Sequence, residues 1–187
     1  MYQSYLYFAN DRLSPAELSA ARLDGHLVEL GEGYIPADAV ETAGLRAASL
    51  AMLLGSVLAA TRLSAAWIHG ALDEPPLRHT VQRAVERRIH HVVDRRLVYR
   101  DARVAPRDLV RIGGVPVTSR ALTLADLARE RGTGGDSPDV ALAIARLAAV
   151  PGAPRDAIVR LAQQDSVPGK PRAIALLRRL EREATTT

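Results

Sequence analysis

The side chains best suited to chemistry in this chain are guanidinium groups crowded into one stretch. Arg83, Arg87, Arg88, Arg95, Arg96, Arg100 and Arg103 fall within 21 residues, interleaved with His90, His91 and Tyr99. Planar forked donors of this kind pair bidentately with phosphate oxygens, so the pattern fits a surface that neutralises a nucleic-acid backbone. It equally fits a sheet face kept wet by alternating arginine and valine, and spacing alone leaves both readings open. Of the 25 basic residues 24 are arginine and only Lys170 is lysine. That bias suits phosphate recognition, but a GC-rich genome or structural use of arginine produces it as well.

Other chemistries are missing the residues they need. A phosphate-cradling P-loop requires a lysine followed by serine or threonine, whereas the single lysine sits in Gly169-Lys170-Pro171. A two-carboxylate nuclease centre of the acid-x-Lys type meets Pro168 where its acid should be. Gly132, Gly134 and Gly135 lack the spacing and the preceding strand of a dinucleotide fingerprint, and read as a loop. The five histidines, His26, His69, His79, His90 and His91, include no His-x-x-x-His pair and no supporting glutamate, so structural or surface roles are expected and no metal. Ser64 and His69 lie near one helix end without a nucleophile elbow around the serine. With no cysteine, thiolate chemistry and disulfides are excluded. The expectation is a protein without catalytic residues and without a cofactor.

Charge is unevenly spread over the 187 residues. Residues 1–60 carry three arginines against seven carboxylates, residues 61–120 carry twelve against six, and the remainder ten basic groups against eight. Any anionic partner should therefore meet the middle of the chain. The N-terminal MYQSYLYFAND has neither the basic start nor the apolar core of a signal peptide, and the longest apolar stretch, Ala47 to Ala60, is too short to span a bilayer. A cytoplasmic protein with no membrane partner is expected.

The elements that must position these groups are mostly helical, since 48% of residues are hydrophobic but only 4% aromatic. Ser14-Pro15-Ala16-Glu17 combines an N-cap, a first-turn proline and a capping-box glutamate, opening a short helix that Asp24-Gly25 ends. His26 to Leu30 and Tyr34 to Pro36, joined through Gly31-Glu32-Gly33, read as a hairpin. Helix then hairpin is the closing half of a winged helix, or an αββ fragment of the main core. A long interior helix is expected over residues 43–60, and a second from Ser64 to Gly70. β-branched runs follow at Thr80 to Val85, Ile89 to Val93, Leu97 to Tyr99 and Leu109 to Ile112, with a Gly113-Gly114 turn into Val115 to Thr118. From Ser119 the chain returns to helix as far as Gly132. Three more helices open at Ser137-Pro138, Pro154 and Pro171, the last with Ala173, Ile174, Leu176, Leu177 and Leu180 on one face and Arg172, Arg178, Arg179 and Arg182 opposite.

In this order, the segments Leu63-SAAWIHG-Ala71 and GGVPVTSRALTLADLAR at Gly113 to Arg129 resemble the AbiEi-type antitoxin and regulator family of actinobacteria. There a Ser-Ala-Ala helix ending in His-Gly and a Gly-x-Pro-Val-Thr hairpin leading into a Leu-Asp-Leu-Ala helix recur. The motifs look like fold-holding elements: His69-Gly70 ends a helix, and Asp126 pairs with Arg129. Many relatives continue after a helical tail similar to Asp139 to Glu183 into a nuclease-like domain, and the resemblance implies a member expected to be without it. The resemblance implies a promoter-binding repressor, the antitoxin half of a type IV toxin–antitoxin pair whose toxin is a nucleotidyltransferase. Two features depart from the family. The N-terminal module lacks a leading helix unless Gln3 to Asn10 supplies it, and its recognition helix offers only Arg22 against Glu17 and Asp24.

The resulting expectation is an α+β fold with a truncated winged-helix-like segment at 1–42, an α+β core at 43–136 built on a small mainly antiparallel sheet, and a helical tail at 137–187. Function is expected to be double-stranded operator DNA binding, with Arg83, Arg87, Arg88, Arg95 and Arg96 on phosphates and Arg22 and the wing at Gly31 to Tyr34 approaching a groove. The alternative is a protein-interaction module whose wing no longer binds DNA and which contacts its partner through the tail helix.

Overall fold

The computed structural model describes residues 5–90, 92 and 94–186. The fold is α+β, with eight α-helices among the described residues, a two-stranded hairpin and a five-stranded mixed sheet. Helix α1 (Pro15–Leu23) starts where its sequence says it should: the Ser14 hydroxyl accepts the Glu17 amide while the Glu17 carboxylate accepts the Ser14 amide. Strands β1 (Leu27–Leu30) and β2 (Gly33–Pro36) pair antiparallel across a two-residue turn. That turn needs Gly31, whose φ is +56° and where a Cβ would lie 2.3 Å from Ser49 Oγ and 3.2 Å from the Trp67 ring. The hairpin is thereby seated on the main core.

This unit is compatible with a winged helix; ahead of α1 the described residues hold a 3-10 position at Tyr5 and no α-helix. Leu6 to Ala9 runs extended instead, with Tyr7 bridging Tyr34 at the hairpin edge. Gln3, part of the segment that could have supplied the missing helix, lies outside the described residues.

The chain does not form one helix over 43–60. It makes α2 (Ala43–Ser49) and α3 (Ala51–Leu54), turns at Gly55, and enters strand β3 (Leu58–Ala60). Gly55 has φ +58° and ψ −152°, a conformation essentially reserved for glycine, so the helix cannot continue through it. Met52, expected on an interior helix, is 80% exposed.

Strand β3 becomes the centre of the larger sheet, whose order is β5-β4-β3-β7-β6. Its neighbours are β4 (His79–Arg83), antiparallel, and β7 (Val115–Thr118), parallel. The outer strands are β5 (Leu97–Arg103), parallel to β4, and β6 (Leu109–Ile112), antiparallel to β7. Across both sheets three of the five strand pairings are antiparallel. Of the run expected as a strand from Ile89 to Val93, Ile89, His90 and Val92 belong to no strand, and His91 and Val93 lie outside the described residues.

The interior helix is α5 (Arg120–Gly132), in which seven successive residues from Leu122 to Ala128 are buried. That run is covered on successive sides by α4 (Arg62–Ile68), α6 (Pro138–Ala148), α7 (Ala153–Ala162) and α8 (Lys170–Thr186). His69 caps α4 at its C-terminus and Gly70 follows at φ +83°. On α8, Ala173 and Leu177 are completely buried and Ile174, Leu176 and Leu180 pack beside them. One continuous apolar cluster therefore joins Leu6, Leu30 and Ile35 of the N-terminal unit to Leu177 of the last helix.

Candidate nucleic-acid interface

The Arg83 to Arg103 stretch folds as the end of β4, a long loop and the edge strand β5. An edge strand rich in charge resists pairing with another chain, which accounts for part of the arginine content without any ligand. The remaining question is which guanidinium groups are spent internally.

Arg83 is largely covered and forms an ion pair with Asp101 at 2.9 Å, while its Nη1 donates to the Glu86 carbonyl at 2.7 Å. Arg88 projects into solvent and reaches the other Asp101 oxygen only at 3.8 Å. Arg103 pairs with Glu86 at 3.0 Å. Arg96 is the most heavily engaged: it grips Asp94 through Nε at 2.9 Å and Nη2 at 2.6 Å, and its Nη1 pairs with Glu32. These hydrogen bonds from Arg96 hold the Asp94 carboxyl down at about 2, and the two carboxylates push the guanidinium further up. Arg87 and Arg95 are exposed and form no ion pair among the described residues. Arg22 lies in the last turn of α1 and pairs with Glu29 on β1 at 3.4 Å, both side chains about half exposed.

The arrangement divides the six expected contact residues. Arg22, Arg83, Arg88 and Arg96 each have a carboxylate partner, and Arg87 and Arg95 do not. Sequence reading missed the partners Glu29, Glu32, Asp94 and Asp101. Only Asp94 stood close enough along the chain to be guessed, two residues before Arg96. The structure adds a connection that spacing could not reveal: Glu32, at the tip of the hairpin, is clamped by Arg96 from 64 residues away. Wing tip and arginine loop thus stand side by side.

Ser64 and His69, near one another along α4, are held by different partners. Ser64 does not face His69. Its Oγ accepts the Thr80 amide at 3.0 Å and lies 3.3 Å from His79 Nδ1, in a region sealed from solvent. His69 Nε2 lies 2.8 Å from the Thr118 carbonyl and donates to it. Burial pushes both imidazoles below the ordinary histidine value, against the raising influence of that carbonyl on His69 and of Glu32 on His79. Among the described residues no three histidine or carboxylate side chains come together as a metal site. No helix among them is long and apolar enough to cross a membrane. Asp126 on α5 pairs with Arg129 at 3.4 Å, yet burial outweighs that neighbour and raises its carboxyl pKa.

No curated protein matches this chain. The model of the AbiEi antitoxin C-terminal domain matches residues 58–179, from the central strand β3 into the last helix α8, and with this coverage the chain belongs to the AbiEi antitoxin family.

Proposed function

We propose that this antitoxin-family chain is a cytoplasmic DNA-binding regulator that represses its own operon, with a nucleotidyltransferase toxin as its functional partner. The observation carrying the DNA reading is the Arg96–Glu32 clamp, which sets the hairpin tip beside a loop bearing Arg87, Arg88 and Arg95 with exposed guanidinium groups. A wing next to a row of solvent-facing guanidinium groups matches what a duplex offers, a groove flanked by phosphates. Arg83 and Arg96 serve by holding that surface together. In this reading Arg22, tied to Glu29, approaches a groove from α1 together with the wing at Gly31 to Tyr34.

The test is retention of duplex DNA from the upstream region of the chain's own gene, titrated over a series of salt concentrations. Each phosphate contact contributes about 0.9 to the logarithmic salt slope, so replacing Arg87 and Arg95 together by Ala should lower the slope by about 1.8. Arg22→Ala should change the preference among sequences more than the slope. Absence of binding at low salt, or a slope indifferent to the double replacement, would refute the assignment. The competing reading, a partner docked through the tail helix, has its apolar face already buried at Ala173 and Leu177.

A further inference from the structure

A second basic site lies on the other side of β5. Consecutive residues of a strand point to opposite faces, so Arg100 projects away from the face that carries Tyr99 and Asp101. It lines a cleft of about 410 Å³ together with Arg62, Arg129, Glu130, Thr133 and the Val167-Pro168 corner before α8. Three guanidinium groups therefore meet one carboxylate on the walls. Arg62 is paired with Glu130 through Nη1, but its Nε is enclosed and has no acceptor. Such a buried donor without a partner is costly to maintain. The backbone at Arg62 is strained as well: φ is +52° in a residue with a long side chain, a conformation that persists where its surroundings hold it and that gathers at ligand sites. Arg129 reaches Asp126 at 3.4 Å and Gln164 at 3.4 Å, long contacts that leave donor capacity over. Arg100 forms no ion pair among the described residues.

We infer that this cleft is a binding site for a phosphate group of a small ligand, with Arg100 and Arg129 at the mouth and Arg62 at the base as its donors. A phosphate dianion supplies the acceptors that the walls lack, and bidentate guanidinium pairing gives it orientation. The volume suits a group of mononucleotide size, and Val167 and Pro168 offer an apolar wall beside the charged one. The site is separate from the loop surface proposed for DNA, and the two can fail independently.

Isothermal titration calorimetry of the full chain tests it, with sodium phosphate and separately adenosine 5′-monophosphate titrated at matched ionic strength in chloride. Saturable binding of inorganic phosphate at about 1 mM is expected. Tighter binding of the nucleotide assigns the site to a nucleotide, and equal binding assigns it to free phosphate. Arg100→Gln, at an exposed position with no ion pair, should weaken both at least about tenfold without altering the melting temperature. Arg62→Lys keeps the charge but removes Nε, and should weaken binding as well. Absence of saturable heat below about 20 mM phosphate, an affinity untouched by Arg100→Gln, or an equal loss on replacing Arg87 and Arg95 would overturn the proposal.

Discussion

Leu177→Ala tests whether the last helix is part of the folded core or a detachable arm. Leu177 is fully buried, and with Ala173 it forms the face of α8 that meets α5 and α7. Truncating a leucine enclosed in this way removes transfer free energy and leaves a cavity, together about 3 kcal/mol within a range of roughly 2–5. For a chain of 187 residues each kcal/mol lowers the melting temperature by about 2–4 °C, so a loss of about 6–12 °C is expected by circular dichroism. The matched control is Arg179→Ala on the same helix. Its ion pair with Glu183 spans 3.4 Å with both side chains about 60% exposed, and such a pair contributes only about 0.3–0.5 kcal/mol. If Leu177→Ala melted within about 2 °C of the parent, α8 would not be integral to the fold, and the reading of its face as core would fail.

Acid should destabilise the protein through its two buried histidines. Burial, with a smaller push from Arg120 on His69 and from Arg96 on His79, holds both below their ordinary value in the folded state, so the unfolded chain binds more protons. Stability is then complete above about pH 6.5 and falls below it, by up to about 1.4 kcal/mol per pH unit for each histidine. Urea denaturation between pH 7.5 and 5.5 measures this, and a flat profile would refute it. Gly113→Ala should cost roughly 3 kcal/mol or more, since φ there is +55° and a Cβ would lie 2.3 Å from the Gly44 carbonyl oxygen. Thermal melting checks that figure, and a loss below about 1 kcal/mol would mean that the β6–β7 turn can move off α2.

How much of this molecule could be read beforehand depended on whether the deciding interaction was local. Helices α1, α5 and α6 begin where serines announce them, because a cap is a contact between residues three apart: Ser119 holds the Leu122 amide and Ser137 the Val140 amide. Helices α7 and α8 carry Pro154 and Pro171 at their starts, where a fixed φ suits a first turn. The stretch from Ala43 to Ala60 misled because a short, fully buried apolar strand cannot be told from a buried helix by periodicity, and its alanines favour the helical reading. The decision lies in the backbone at Gly55 and in the partners β4 and β7, which are distant in sequence. Ile89 and Val92 have strand composition yet join no strand. The two parallel pairings in the larger sheet depend on the same long-range placement. At the candidate interface the cations were legible and their partners were not, since Arg96 and Glu32 are separated by 64 positions.

The excess of arginine over lysine acquires a physical reason once these partners are known. Arg46 donates through one Nη1 to the carbonyls of Trp67 and Leu72, at 2.7 and 2.6 Å, pairs through Nε with Glu41, and lies 5.5 Å from the centre of the Trp67 ring. Arg78 spans the Arg95 and Leu97 carbonyls, fixing the start of the edge strand, and Arg160 reaches the buried Asp108 at 3.0 Å. Each task needs several donors held in a plane at the end of one side chain, which an ammonium group cannot provide. Much of the bias is therefore spent on bracing loops against a core poor in aromatic residues. The DNA proposal draws on Arg87, Arg88 and Arg95 of the loop and the cleft proposal on Arg100 across the strand with Arg62 and Arg129, so the two readings rest on different arginines and are tested apart.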